Sequence, residues 1–293
     1  ARRYVGPPAA PGQPTPLAPE RFVRALTEPA PPPADPAAGL LLYEGFDYHD
    51  PADLPNGRAA GGLGWAGAWR PGFARPLNEG DENRLALNVN EGLSRPGAAV
   101  PAIGGSFDYA GFAKYFRRMA TPVRLDTDGV YYLSFLFRRD GPPADPLSAV
   151  AVLLRTDEEL ERELNGEGDQ RLRLNIGVDR TNHLFTHLHR VGIQTPLPMS
   201  YGETYLLVAK IVASGSNPDQ VFMRVYGPAE PVEPGEPASW SAVGPLFHSD
   251  LVFDWLQIHI NSKKRQTMDE IRLGTTWSSV TAPWIGMPGA KHR

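Results

Sequence analysis

The chain has 293 residues, with 29 basic against 33 acidic side chains and no cysteine. A formal charge of −4 argues against nucleic acid as the main partner, and the missing thiols exclude a disulfide scaffold, a cysteine nucleophile and cysteine-ligated metal centres. No apolar run approaches the ~18 residues of a membrane helix, and 31 prolines with 30 glycines favour a turn-rich fold over one of long helices. Residues 1–39 come first and hold eleven of those prolines. Such a segment is an extended polyproline arm without internal hydrogen bonds. Phe22, Val23 and Leu26 make a short apolar cluster in it, and with Tyr4 they are the candidate anchors for docking. Composition alone reads as a linker or stalk; the alternative is an arm packed on its own domain or on a neighbouring subunit. The dibasic pair behind Ala1 is consistent with a mature form whose leader has been removed.

From residue 40 the pattern changes to short alternating runs bounded by Gly, Pro, Asn and Asp, which is the strand signal. They fall at 40–44, 84–90, 115–119, 130–138, 147–155, 171–178, 183–189, 204–213, 220–226, 255–261 and 268–274. In RLRLNIGV (171–178), Leu172, Leu174, Ile176 and Val178 share the inward face. One stretch reads as a helix: TDEELEREL (156–164), where Thr156 precedes acidic residues and Leu160 and Leu164 stand at i, i+4. Its acidic residues, Asp157 to Glu163, read as a solvated face. Prolines at 228, 231, 234 and 237 keep a three-residue spacing and predict an exposed loop. Eleven strands predict one large all-β antiparallel fold over 40–281, followed by a tail at 282–293.

Particular residues carry a resemblance. LLYEGFDY (41–48), GGLGWAGAW (61–69), NRLALNV (83–89), ETYLLVAKI (203–211) and MDEIRLGTTWSSV (268–280) occur in this order. Together they resemble the concanavalin A-like, laminin-G-like jelly-roll domains common in exported proteins of planctomycete-type bacteria. APERFVRAL (18–26) looks like the junction at which such domains follow a FecR-like module. The resemblance implies a two-sheet jelly-roll sandwich with its first and last strands paired, an extracellular or cell-surface location, and no shared catalytic residues. Ile271 and Leu273 would then enter the core from the last strand, and Trp65, Trp69 and Trp277 would form an aromatic plug.

Each candidate site has a structural alternative. Trp65 and Trp69, in a glycine-rich loop, are a candidate carbohydrate platform, because indole rings stack on sugars; the alternative is that they close the end of the core. Glu44, Asp47 and Asp269, with Glu270 beside them, are candidate ligands for a structural calcium, a hard cation served by several oxygens; the alternative is surface charge or capping. His183, His187 and His189 share strand parity, yet only His187 and His189 stand close enough to chelate one metal, so an exposed polar face is favoured. No hydrolase elbow, zincin helix, P-loop or dinucleotide fingerprint is present, and no strand carries the paired carboxylates of retaining glycosidases.

The sequence therefore favours a non-catalytic extracellular structural or adhesive protein. It would self-associate through the arm as a homo-oligomer or, with non-closing contacts, a filament. The alternative is a carbohydrate-binding module with a glycan as partner, and the third reading is a glycoside hydrolase. Neither a nucleic acid nor a membrane span enters any of the three.

Overall fold

The computed structural model describes residues 38–54, 57–75, 87–88, 91–95, 104–141, 149–165, 167, 172–179, 181–188 and 191–282. Among the described residues thirteen strands run in chain order. They are β1 (Leu40–Glu44), β2 (Arg70–Arg75), β3 (Leu87–Asn88), β4 (Ser106–Arg124), β5 (Gly129–Arg139), β6 (Ala149–Arg155), β7 (Arg173–Asp179), β8 (His183–Leu188), β9 (Val191–Pro196), β10 (Thr204–Ala213), β11 (Gln220–Tyr226), β12 (Ala242–Val243) and β13 (Val252–Gly274). Two short helices join them, α1 (Asp157–Leu164) and α2 (Trp277–Thr281). Every strand pairing is antiparallel.

β13 organises the sheet. Its first half, 255–261, lies between β4 and β6, and its second half, 266–274, pairs with β5 and, at its end, with β1. The ladder is therefore continuous, in the order β12-β11-β10-β5-β13-β6-β7-β8-β9, and β12 comes back near β9 so that the sheet is nearly closed. One 13-stranded jelly-roll-type sheet stands where two separate sheets are expected. The reason is that β4, with 19 residues, and β13, with 23, both pass through its two halves. Register shifts between Ser262 and Gln266 mark the place where the long strands turn, as bulges bend a strand.

Alternate residues of both halves meet in one apolar cluster, with Phe135, Leu207 and Met223 from one and Val152, Ile176 and Ile258 from the other. Leu174, Ile176 and Val178 are inward as predicted, and Ile271 and Leu273 enter the core from the last strand. β1 pairs with β13 in the register Leu42↔Leu273 and Glu44↔Ile271. The loop before β2 lies against β1, through a bridge between Tyr43 and Leu63. A Cβ on Gly64 would fall 1.8 Å from the Leu41 carbonyl oxygen, so this approach requires glycine.

The face of β5, β10 and β11 away from this core carries a second cluster, in which Trp277 packs on Tyr132 and Trp240. The proline-spaced loop 227–238 is tied down there rather than free. The Trp277 indole donates to the Glu233 carbonyl (2.9 Å), and the Tyr226 hydroxyl donates to the Glu233 carboxylate (2.5 Å). Among the described residues no helix is long and apolar enough to cross a membrane.

Candidate functional site

Two clusters of buried polar side chains compete for attention. The first lies where the chain's first and last strands meet. Glu44 is 1 % exposed and its carboxylate is fully engaged. Oε2 accepts from Arg117 (2.5 Å), the Tyr48 hydroxyl (2.8 Å) and the Trp69 indole (2.9 Å), while Oε1 accepts from the Phe46 amide (2.9 Å). Arg117 also donates to the Gly67 carbonyl (2.8 Å), and its guanidinium lies 4.6 Å from the Trp65 ring centre. Burial pushes the Glu44 carboxyl upward, against the pull of Arg117 and of the hydrogen bonds from Tyr48, Phe46 and Trp69.

Next to it, Glu270 accepts from the Tyr43 hydroxyl (2.9 Å) and from Arg272 (2.8 Å). Asp269 accepts from the Leu93 and Glu270 amides (2.8 and 2.7 Å), and its carboxyl is pushed well up by burial and by Glu270. Phe46 and Glu270 both hold φ near +52°, a left-handed conformation unusual for such residues. At both places the local twist lets an amide reach a neighbouring carboxylate.

The second cluster lies on the face of β4, β13, β6, β7, β8 and β9 that alternation turns away from the core. The register sets its side chains in cross-strand rows. One row runs Arg118, Trp255, Arg155, Arg173. The next runs Phe116, Gln257, Leu153, Asn175, His187, Gly192, and the third Lys114, His259, Ala151, Gly177, Phe185, Gln194. α1 covers the first row. Thr156 caps it by accepting the Glu159 amide (3.1 Å), and Leu160 packs with Phe116 and Trp255.

The acidic residues of α1 divide: Asp157, Glu158 and Glu161 are exposed, whereas Glu159 and Glu163 dock on the sheet. Glu159 pairs with Arg155, Glu163 pairs with Lys114 and lies 3.5 Å from Arg173, and Asp157 accepts the Trp255 indole N–H. Arg155 is 0 % exposed; burial, then Arg173, pulls its pKa down to about 9. His259 stands beside Gln257 (3.4 Å) and edge-on to Phe112, and it stays neutral: burial, then Lys114, Arg173 and Arg155, lower its pKa to about 3. Beyond α1 the face opens into a pocket of about 480 Å³ at Asn175, Phe185, His187, Gly192 and Gln194. A Cβ on Gly177, in the row alongside, would lie 2.6 Å from that of Ala151, so β6 and β7 approach closely there.

The structure distributes the predicted site residues unevenly. Trp69 is 0 % exposed, with its ring in the core and its N–H on Glu44, so it presents no face to a sugar. Trp65 is half-buried under Arg117 and donates to the Tyr43 carbonyl (3.1 Å). The two indoles touch each other, 5.4 Å between centres, whereas Trp277 belongs to the separate cluster on Tyr132 and Trp240. Glu44, Asp47 and Asp269 do not assemble a calcium set: Glu44 is taken up by donors, Asp47 is exposed, and Asp269 holds the Leu93 amide. Among the described residues no three His, Asp or Glu side chains are placed to hold a metal ion. His183 and His187 lie on β8, facing away from the core; His189 lies outside the described residues. Tyr4, Phe22, Val23 and Leu26 also lie outside them.

Gln257, His259 and Asn175 were not singled out from the sequence, although a signal exists. In WLQIHIN the apolar Leu256, Ile258 and Ile260 take the core, which sends Gln257 and His259 together to the other face.

No family model matches the chain, and no curated protein matches it. Among solved structures it is similar to the endo-β-1,4-glucuronan lyase from the fungus Trichoderma reesei (12% identity, 74% of this chain and 94% of that one, TM-score 0.44). It is also similar to the metal-free carbohydrate recognition domain of Emp46p (10% identity, 71% and 98%, TM-score 0.38). A third is the botulinum neurotoxin serotype D binding domain, of which the chain spans about half (7% identity, 81% and 48%, TM-score 0.43). At these values the likenesses carry no argument about activity.

Proposed function

We propose that this protein is a non-catalytic carbohydrate-binding module of the concanavalin A-like, laminin-G-like kind, acting outside the cytoplasm. Its glycan surface is the outward face of β6 to β9 with β13. One observation carries the reading: an open pocket of about 480 Å³ is rimmed by the amides of Asn175 and Gln194, the imidazole of His187 and the ring of Phe185. Amides and imidazole exchange hydrogen bonds with hydroxyls in both directions, and an aromatic ring packs on the apolar side of a pyranose. The carboxylates that reach this face, Asp157, Glu159 and Glu163, are ion-paired to Arg118, Arg155 and Lys114, which suits binding better than hydrolysis. Self-association through the arm rests on Tyr4, Phe22, Val23 and Leu26, which lie outside the described residues, whereas the pocket rests on named atoms.

A glycan array followed by calorimetry tests the proposal. Asn175→Ala combined with His187→Ala should weaken binding of the best glycan at least about tenfold, a loss of about 1.4 kcal/mol, with the melting temperature kept. A chain that binds no glycan, or a double variant that binds as tightly as the parent, overturns it.

A further inference from the structure

The outward face of β5, β10 and β11 already holds one proline-spaced segment, the loop in which Pro228, Pro231, Pro234 and Pro237 recur at every third residue. The Trp277 indole donates to the Glu233 carbonyl (2.9 Å), the Tyr226 and Tyr132 hydroxyls donate to the Glu233 and Glu236 carboxylates, and Val232 packs with the aromatic cluster. Aromatic rings with an N–H aimed at a backbone carbonyl suit a polyproline-like strand, whose carbonyls have no internal partner.

The same surface continues past the loop. Trp240 lies 6.0 Å from Trp277 and 5.6 Å from Phe222 between ring centres, and both Trp240 and Phe222 are half-buried. Val243, cross-strand from Phe222, is 43 % exposed. The indoles of Trp65, Trp69, Trp255 and Trp277 all donate within the fold. That of Trp240 finds no acceptor among the described residues, and its nitrogen is not buried. Beside the step that the loop occupies, the face thus offers a second aromatic step with an unspent donor.

The chain carries a matching segment. Pro8, Pro11 and Pro14 repeat the three-residue spacing of the loop. Between Pro14 and Ala38 stand 23 residues, about 70 Å of chain at the ~3.1 Å per residue of polyproline. Ala38 is itself fixed beside Trp277, since its carbonyl accepts from the Thr276 hydroxyl (2.9 Å). A proline-rich spacer of that length carries the repeat away from its own face and toward a neighbour's. We infer that the step at Trp240 and Phe222 receives residues 8–14 of a second copy. Its prolines pack on the two rings, and one of its carbonyls accepts the Trp240 N–H, so that copies associate head to tail. The inference goes beyond the carbohydrate reading and uses none of the residues of the glycan pocket.

Sedimentation of the full chain over a concentration series tests it. The expected result is concentration-dependent association, weakened at least about tenfold by Trp240→Ala. The combined change Pro8→Ala, Pro11→Ala and Pro14→Ala should weaken it as much, and because it leaves residues 38–282 as they are, it separates loss of contact from loss of fold. An excess of a synthetic peptide of residues 6–16 should dissolve the assembly, and the same peptide with alanine at 8, 11 and 14 should not. A chain that stays monomeric at every concentration overturns the inference, as does association that the triple variant leaves unmoved. If Trp240→Ala weakens glycan binding and not association, the step is a sugar platform, and the inference falls while the carbohydrate reading stands.

Discussion

The knot at Glu44 and Arg117 and the outward face at Arg155 and Gln257 both bury charged or polar side chains almost completely, yet their hydrogen bonds differ. In the knot, four donors converge on the Glu44 carboxylate, and three aromatic residues, Tyr48, Trp65 and Trp69, wall in the ion pair. On the outward face, polar atoms of three strands remain without partners. A satisfied network fixes one arrangement of the chain, here the closure of its first strand on its last. An unsatisfied one costs folding free energy without fixing the chain in return. The difference separates a cluster that serves the fold from one whose polar atoms the fold leaves open, although both are equally hidden from water.

The largest expected effect breaks the knot. Arg117→Met leaves Glu44 buried without its cation, and removing one partner of a buried pair typically costs about 3–5 kcal/mol. Urea unfolding should show that loss, with glycan binding of the remaining folded chain retained. Glu44→Gln in the same chain should recover part of it, because the stranded charge is then gone. A loss below about 1 kcal/mol for Arg117→Met would mean that the knot does not hold the strands together.

Asp108 sharpens the comparison from a third place. It is 9 % exposed, lies 3.3 Å from Arg265 and keeps one oxygen without a partner, well away from the pocket residues in sequence and register. Burial pushes its pKa up to about 6, with Arg265 opposing. The folded chain therefore holds this proton more tightly than the unfolded chain does. Stability falls as pH rises from about 4 through about 6 and then levels off. Asp108→Asn removes that fall and should gain about 1–3 kcal/mol at pH 7 with no gain below pH 4, read as melting curves across the range. Glycan affinity should not change. A loss of affinity here would show that partnerless atoms report general strain rather than a site.

How far each region is legible in the sequence follows from its physics. Period-two alternation exposes Leu174, Ile176 and Val178 directly, because the core demands apolar residues at every second position. The pairing of β1 with β13 is anticipated through the two motifs that carry the resemblance. β4 is foreseen only at 115–119, since Gly111 and Lys114 interrupt its apolar pattern before that stretch while the pairing with β13 continues across them. The single ladder is hidden for the same reason: 262–266 reads as a polar break but is the bend of one strand. The acidic helix misleads in part: Glu158 and Glu161 are exposed as the pattern suggests, but the pattern does not show that Arg155, four residues before Glu159, and Arg173, on another strand, come beneath Glu159. Trp69 reads more as a plug of the core than as a sugar platform, and its burial on Glu44 decides for the plug.

The smallest expected effect on stability is the most direct comparison of the two regions. Gln257→Leu replaces a buried amide, whose oxygen has no partner and whose nitrogen makes one long contact with His259 (3.4 Å), by an apolar side chain of similar volume. In the knot, the equivalent deletion strands a charge. On the face it removes a polar group that folding leaves unpaid, so the change in stability should stay within about 1 kcal/mol and can favour the variant. Glycan affinity should stay as it is, because Gln257 is fully buried and lies outside the lining of the pocket. Calorimetry with the best glycan of the array should show affinity unchanged within about twofold while the urea midpoint stays in place. If the midpoint drops as far as it does for Arg117→Met, the partnerless atoms belong to the architecture, and the two clusters do the same job.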